Sequence, residues 1–108
     1  KLKDHIILGT DAGAVGDYFG YADHVELSLF VRMGMTPSEA IVAATSRAAT
    51  AFGLNNVGVL RAGKAADFVI LDANPLEDIR NTREINEVYL RGKRVDREGL
   101  SERWTLEN

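Results

Sequence analysis

Hydrophobic positions along the chain change their spacing twice. Residues 5–10, His5-Ile6-Ile7-Leu8-Gly9-Thr10, form a short apolar run without alternation. Such a run predicts a parallel strand covered on both faces rather than an antiparallel strand with one wet face. The stretch Asp11-Ala12-Gly13-Ala14-Val15-Gly16-Asp17 then predicts a loop, its glycines permitting tight backbone geometry. Helical spacing follows. Asp23 and Glu26 stand at N-cap and N3 spacing, with Val25, Leu27, Leu29, Phe30, Val31 and Met33 behind them and Gly34 as the stop. A second helix opens on Thr36-Pro37-Ser38-Glu39, which supplies an N-cap, a proline at the first helical position and a capping-box glutamate. Ile41, Ala44, Ala48 and Phe52 recur at helical spacing up to Gly53, and the many alanines imply close packing against a neighbour.

From Gly58 the period shortens. Val59-Leu60 and Phe68-Val69-Ile70-Leu71 read as two strands around the turn-like tetrad Arg61-Ala62-Gly63-Lys64. Asn74-Pro75 breaks the chain, because proline lacks an N–H and fixes its own φ. Residues 85–90 are another strand, which Arg91-Gly92-Lys93 can turn back into Arg94-Val95. After Arg97 the apolar content is too low to assign an element. The order is strand, two helices, then several strands, so the β-rich second half belongs to a different layer or subdomain.

Composition narrows the function classes. A chain of 108 residues, 45% hydrophobic and 27% charged, suits one modest core that buries roughly 65% of the unfolded surface. The formal net charge of −3 argues against nucleic acid as a partner, since phosphate binding needs a basic face. With no cysteine, disulfides, thiolate metal sites and a cysteine nucleophile are excluded. That is compatible with cytosol or periplasm, and the cytoplasm is the expected location. No apolar run approaches the roughly 20 residues that span a bilayer, so no membrane is expected. The start Lys1-Leu2-Lys3-Asp4 is unlike a signal peptide and leads at once into an apolar run, as in a segment of a longer chain.

Asp11 is the first candidate for chemistry. It comes directly after the expected buried strand, and in parallel α/β barrels catalytic groups converge at that end of the strands. A carboxylate there either ligates a divalent metal and takes a proton from water, or caps the loop through backbone amides. His24 opens the helix after the loop and reads either as a surface histidine or as a substrate-binding group at the mouth of a pocket. His5, at the opposite end of the strand, reads as structural. Tyr18, Phe19 and Tyr21 are candidates for a substrate lid or for loop packing. Gly63-Lys64 lacks the upstream glycine and strand–loop–helix order of a phosphate loop, so it reads as a hairpin turn. Asp67 reads as a loop hydrogen-bonding residue.

Gly9-Thr10-Asp11-Ala12-Gly13 resembles the segment at the eighth barrel strand of metal-dependent amidohydrolases. Further matching pieces succeed it in order: Glu26-Leu27, residues 34–41, Ala43-Ala44-Thr45, residues 58–72, Asn74-Pro75-Leu76 and residues 88–95. The set covers nearly the whole chain and is most similar to the imidazolonepropionase-like and prolidase-like branch. The resemblance implies an α/β fold: residues 1–57 as the C-terminal β/α unit of a (β/α)8 TIM-like barrel, and residues 58–108 as strands of the small flanking β-sandwich with a C-terminal tail. It implies hydrolysis of an amide or cyclic amide C–N bond through metal-activated water, on a small-molecule or dipeptide-like amide substrate. Asp11 corresponds to the last metal-ligating aspartate, which also shuttles the water's proton. The divalent metal is expected to be zinc in the intact enzyme and absent from the isolated chain, because the family's paired histidines, bridging lysine or glutamate and two later histidine ligands have no counterpart here. The isolated chain is therefore expected to be inactive and, with strand edges uncovered, a homo-oligomer. The rival reading is a non-catalytic assembly or binding module built on the same fold.

Overall fold

The computed structural model describes residues 2–13, 15 and 18–106. Its regular elements are a 3-10 turn (Leu2–His5), helices α1 (Tyr21–Arg32), α2 (Pro37–Ala44) and α3 (Ser46–Ala51), strand β1 (Phe68–Leu71), a second 3-10 turn (Ile79–Arg83), strands β2 (Ile85–Leu90) and β3 (Lys93–Arg94), and helix α4 (Arg97–Leu106). Of the expected loop, Ala14, Gly16 and Asp17 lie outside the described residues.

α2 starts as its sequence dictates. The Thr36 hydroxyl accepts from the Glu39 N–H at 3.2 Å while the Glu39 carboxylate accepts from the Thr36 N–H at 2.7 Å, closing the capping box ahead of Pro37. α1 and α3 stop alike. After α1 the Gly34 N–H donates to the Val31 carbonyl and the Met35 N–H to that of Phe30; after α3, Gly53 and Leu54 repeat the pattern onto Thr50 and Ala49. Both glycines carry the positive φ that this Schellman closure requires, 99° and 68°.

Two helix expectations are corrected. α1 begins at Tyr21 rather than near Asp23: Gly20 is the N-cap at φ 78°, and Glu26 points away from the helix start. The second helix is two helices, because Thr45 leaves helical geometry at φ −122° and ψ −94°. The Thr45 hydroxyl donates back to the Ile41 carbonyl at 2.7 Å, a local bond that competes with the helical ladder. Gly58 closes on the same break. A Cβ there would stand 2.7 Å from the Ala49 Cβ and 3.0 Å from the Thr45 carbonyl oxygen, so only glycine fits.

Leu27 and Phe30 of α1, Met35 between the helices, Ala40 and Ala43 of α2, and Ile79 form one buried cluster, with Ile6, Leu8, Val31, Ile41 and Ala44 packed against it. Ala40 and Ala43 have no accessible surface, which is what lets α1 approach α2 closely. The Ile79–Arg83 turn packs on α1, so the helical core draws one residue from beyond position 58.

The expected strand over residues 5–10 does not form. Leu2–His5 is a 3-10 turn and residues 6–10 carry no strand ladder: a strand needs a neighbouring strand, and here the described hydrogen-bond partners lie on helices. Val59-Leu60 is not a strand either; β1 pairs with β2 instead. The sheet order is β1-β2-β3, antiparallel throughout, with Phe68 opposite Tyr89 and their rings stacked at 4.7 Å. Arg91 and Gly92 both take positive φ, 52° and 75°, as a two-residue hairpin between β2 and β3 demands. α4 occupies the stretch whose low apolar content left it unassigned; it begins with the Asp96 carboxylate accepting from the Gly99 N–H at 3.0 Å.

Candidate functional site around Asp11

Three helices fix the segment that leads to Asp11, one bond at a time. From α3, Arg47 Nη1 donates to the Lys3 carbonyl at 3.0 Å and to the Ile6 carbonyl at 3.2 Å. From α2, the Ala43 carbonyl accepts from the Leu8 N–H at 3.3 Å. From α1, the Glu26 carboxylate accepts from the Gly9 N–H with both oxygens, at 3.2 and 3.3 Å. These contacts replace a strand ladder on one side of the segment. The chain then turns: Asp11 is exposed and has φ 52°, a left-handed conformation that aspartate tolerates better than most residues.

Beside this segment runs an open groove of about 380 Å³, lined by Gly9, Thr10, Tyr18, Tyr21, Val25 and Glu26 among others. Its chemistry is apolar and aromatic with one carboxylate. Two of the three candidate lid aromatics, Tyr18 and Tyr21, face it. Arg83 lies over the Tyr21 ring at 5.1 Å, a cation–π contact that ties the groove wall to the Ile79–Arg83 turn. Phe19 instead sits against Gly13, where an added Cβ would come within 3.1 Å of the ring.

His24 faces away from the groove, toward the same turn. Its Nδ1 is 2.9 Å from the Thr82 hydroxyl, which itself donates to the Ile79 carbonyl at 2.9 Å. A hydroxyl has one proton to give, so Thr82 accepts and His24 Nδ1 carries the hydrogen. Partial burial, and secondarily the charge of Arg83, hold the His24 pKa below the ordinary histidine value, with Asp23 pulling the other way. His5 is exposed in the first turn. Asp67 accepts from the Arg91 N–H at 2.7 Å and so pins the β2–β3 hairpin, the hydrogen-bonding role expected of it.

A stable zinc centre takes three or four protein ligands. Among the described residues no group of three His, Cys, Asp or Glu side chains could hold a metal ion. The described donor set therefore does not make up a complete metal site, and Asp11 offers one carboxylate to it.

Sequence reasoning singles out Asp11 and His24 but misses the anchors around them. Glu26 reads locally as a capping residue, and its bond to Gly9 spans 17 positions, beyond any local rule. Arg47 and Thr82 carry no signal at all.

Comparison with known proteins identifies the family. The sequence model of the Amidohydrolase family matches residues 1–95. Imidazolonepropionase of Deinococcus radiodurans is 35% identical over 94 residues, covering 83% of this chain and 23% of its own length. The solved structure of molinate hydrolase superposes with a TM-score of 0.82 at 32% identity, over 87% of this chain and 24% of that one. A Xaa-Pro dipeptidase structure with bound methionine in the active site gives 0.76 at 31%, over 83% and 22%. The chain thus spans about a quarter of the length of these relatives. With a family match over 95 of its 108 residues and an α/β fold shared with these structures, the chain belongs to the Amidohydrolase family.

Proposed function

We propose that this chain is the part of a longer metal-dependent amidohydrolase that delivers Asp11 to the active site, and that the whole enzyme hydrolyses a C–N bond in a small-molecule or dipeptide-like amide. The observation that carries the reading is the family match over residues 1–95, bounds that contain Gly9-Thr10-Asp11. Its support in the fold is the anchored segment, which ends in an exposed carboxylate beside an aromatic groove. Residues 1–57 are the barrel part, and residues 58–108 are part of the flanking sandwich with a C-terminal tail.

In that reading a divalent cation, zinc by expectation, is held mainly by ligands outside this chain and supplies Lewis-acid activation of water. Asp11 acts on the proton. As the water oxygen adds to the carbonyl carbon, its proton passes to the Asp11 carboxylate. When the C–N bond breaks, Asp11 returns that proton to the leaving nitrogen. Tyr18 and Tyr21 offer apolar faces to the substrate, while His24 ties α1 to the Ile79–Arg83 turn through Thr82.

The test is Asp11→Asn in the longer protein. The amide is nearly isosteric but cannot accept the proton, and general acid–base catalysis is worth about 10²–10⁴-fold. Turnover is expected to fall by that amount with folding nearly intact. Retention of more than about a tenth of wild-type kcat, with metal still bound, contradicts the proton role.

A further inference from the structure

We infer that Glu26 is a positioning residue for Asp11, setting the aspartate's place through the backbone two residues upstream; the inference rests on the proton role proposed for Asp11. Within this chain residues 6–10 are held by contacts that fall in sequence order: Arg47 at Ile6, Ala43 at Leu8, Glu26 at Gly9. Among the described residues Glu26 is the last of these anchors before Asp11. Like Arg47, and unlike the Ala43 carbonyl, it brings a charged side chain to the backbone. It holds an N–H with both oxygens of a carboxylate, at 3.2 and 3.3 Å, from a residue that is only partly exposed. A charged acceptor strengthens such a bond relative to a neutral carbonyl.

The turn just beyond Gly9 needs holding. Asp11 lies in a left-handed conformation, φ 52°, which costs energy for a residue with a Cβ and persists where its surroundings enforce it. Glu26 sits on the rigid middle of α1, whose neighbours Leu27 and Phe30 are buried in the core. The carboxylate thus transmits the position of the core to the reactive loop. It also lines the groove with Gly9 and Thr10, so one residue sets both the groove wall and the approach to Asp11.

The experiment compares Glu26→Leu, Glu26→Gln and Asp11→Asn in the longer protein. It measures kcat and KM separately, together with amide hydrogen exchange over residues 6–11. Glu26→Leu fills the site without accepting a hydrogen bond. It should lower kcat about ten- to a hundredfold, the scale of a misplacement near 1 Å, with KM changed little. Exchange over residues 6–11 should rise with it. Glu26→Gln keeps an acceptor oxygen and should restore kcat to within a few-fold and exchange to the wild-type rate. If Asp11→Asn is inactive while Glu26→Leu keeps its kcat, or loses it with exchange unchanged, positioning by Glu26 is wrong and the role of Asp11 stands. If Asp11→Asn retains turnover, both assignments fall, and faster exchange in Glu26→Leu marks a structural tether only.

Discussion

The helices and the sheet use similar amounts of apolar sequence and end in different states. α1 and α2, with Met35 between them, close a cluster in which Leu27, Phe30, Ala40 and Ala43 are buried. Among the described residues of β1, β2, β3 and α4, none is buried. Val69, Ile70 and Leu90 remain 42–56% exposed, and an open apolar groove of about 640 Å³ runs past Val69 and Leu90, lined also by Val59 and Leu60. Trp104 on α4 is 73% exposed. The helices bury their apolar stripe on one another, needing only Ile79 from the second half. The sheet has the hydrogen-bond register of a finished hairpin and an apolar surface that none of the described residues covers. The difference teaches that local pairing and burial are separate problems, and that the α1–α2 pair, unlike the sheet, has solved both.

Substitution should separate the two regions. Phe30→Ala removes a ring that is 4% exposed and is expected to cost about 3–5 kcal/mol. Ile70→Ala removes a side chain that is 42% exposed and should cost below about 1 kcal/mol. Denaturant titration of both variants checks the contrast, and equal costs would mean that the sheet is packed as tightly as the helices. Next in size is Thr36→Ala, which removes the hydroxyl half of the capping box and should cost about 0.5–2 kcal/mol. An unchanged denaturation midpoint would show that α2 is held by packing alone.

The smallest effect concerns the tie between α1 and the Ile79–Arg83 turn. The folded-state pKa of His24 lies below the ordinary value of 6.5, with burial the main cause. The unfolded chain therefore binds the proton more readily, and stability rises with pH. The contribution is fully present above pH 6.5 and is lost as the pH falls from there through the lowered folded pKa. His24→Gln should flatten that part of the stability profile. A profile identical to wild type would assign the slope to another group.

Much of the local structure is legible because it is written in neighbouring residues. The capping box at Thr36 and Glu39, the glycine stops at Gly34 and Gly53, and the Arg91-Gly92 hairpin each need only a few adjacent positions. The features that escape depend on distant partners. Residues 6–10 have the composition of a buried strand, yet composition does not name the strand that would pair with them. Thr45 interrupts a sound helical period because its hydroxyl finds Ile41 and because Gly58, far along the chain, packs on the break. Asp11 stands out by its motif; its left-handed backbone, exposure and tether through Glu26 have no local signature.

Central to the proposed role is that this chain brings one carboxylate to a metal centre whose other ligands lie elsewhere. Equilibrium dialysis of zinc against the 108-residue chain tests it most directly. A single carboxylate cannot replace three or four ligands, so the predicted result is weak binding far below one zinc per chain, unchanged in Asp11→Ala. About one tightly held zinc per chain, lost in Asp11→Ala, would contradict it.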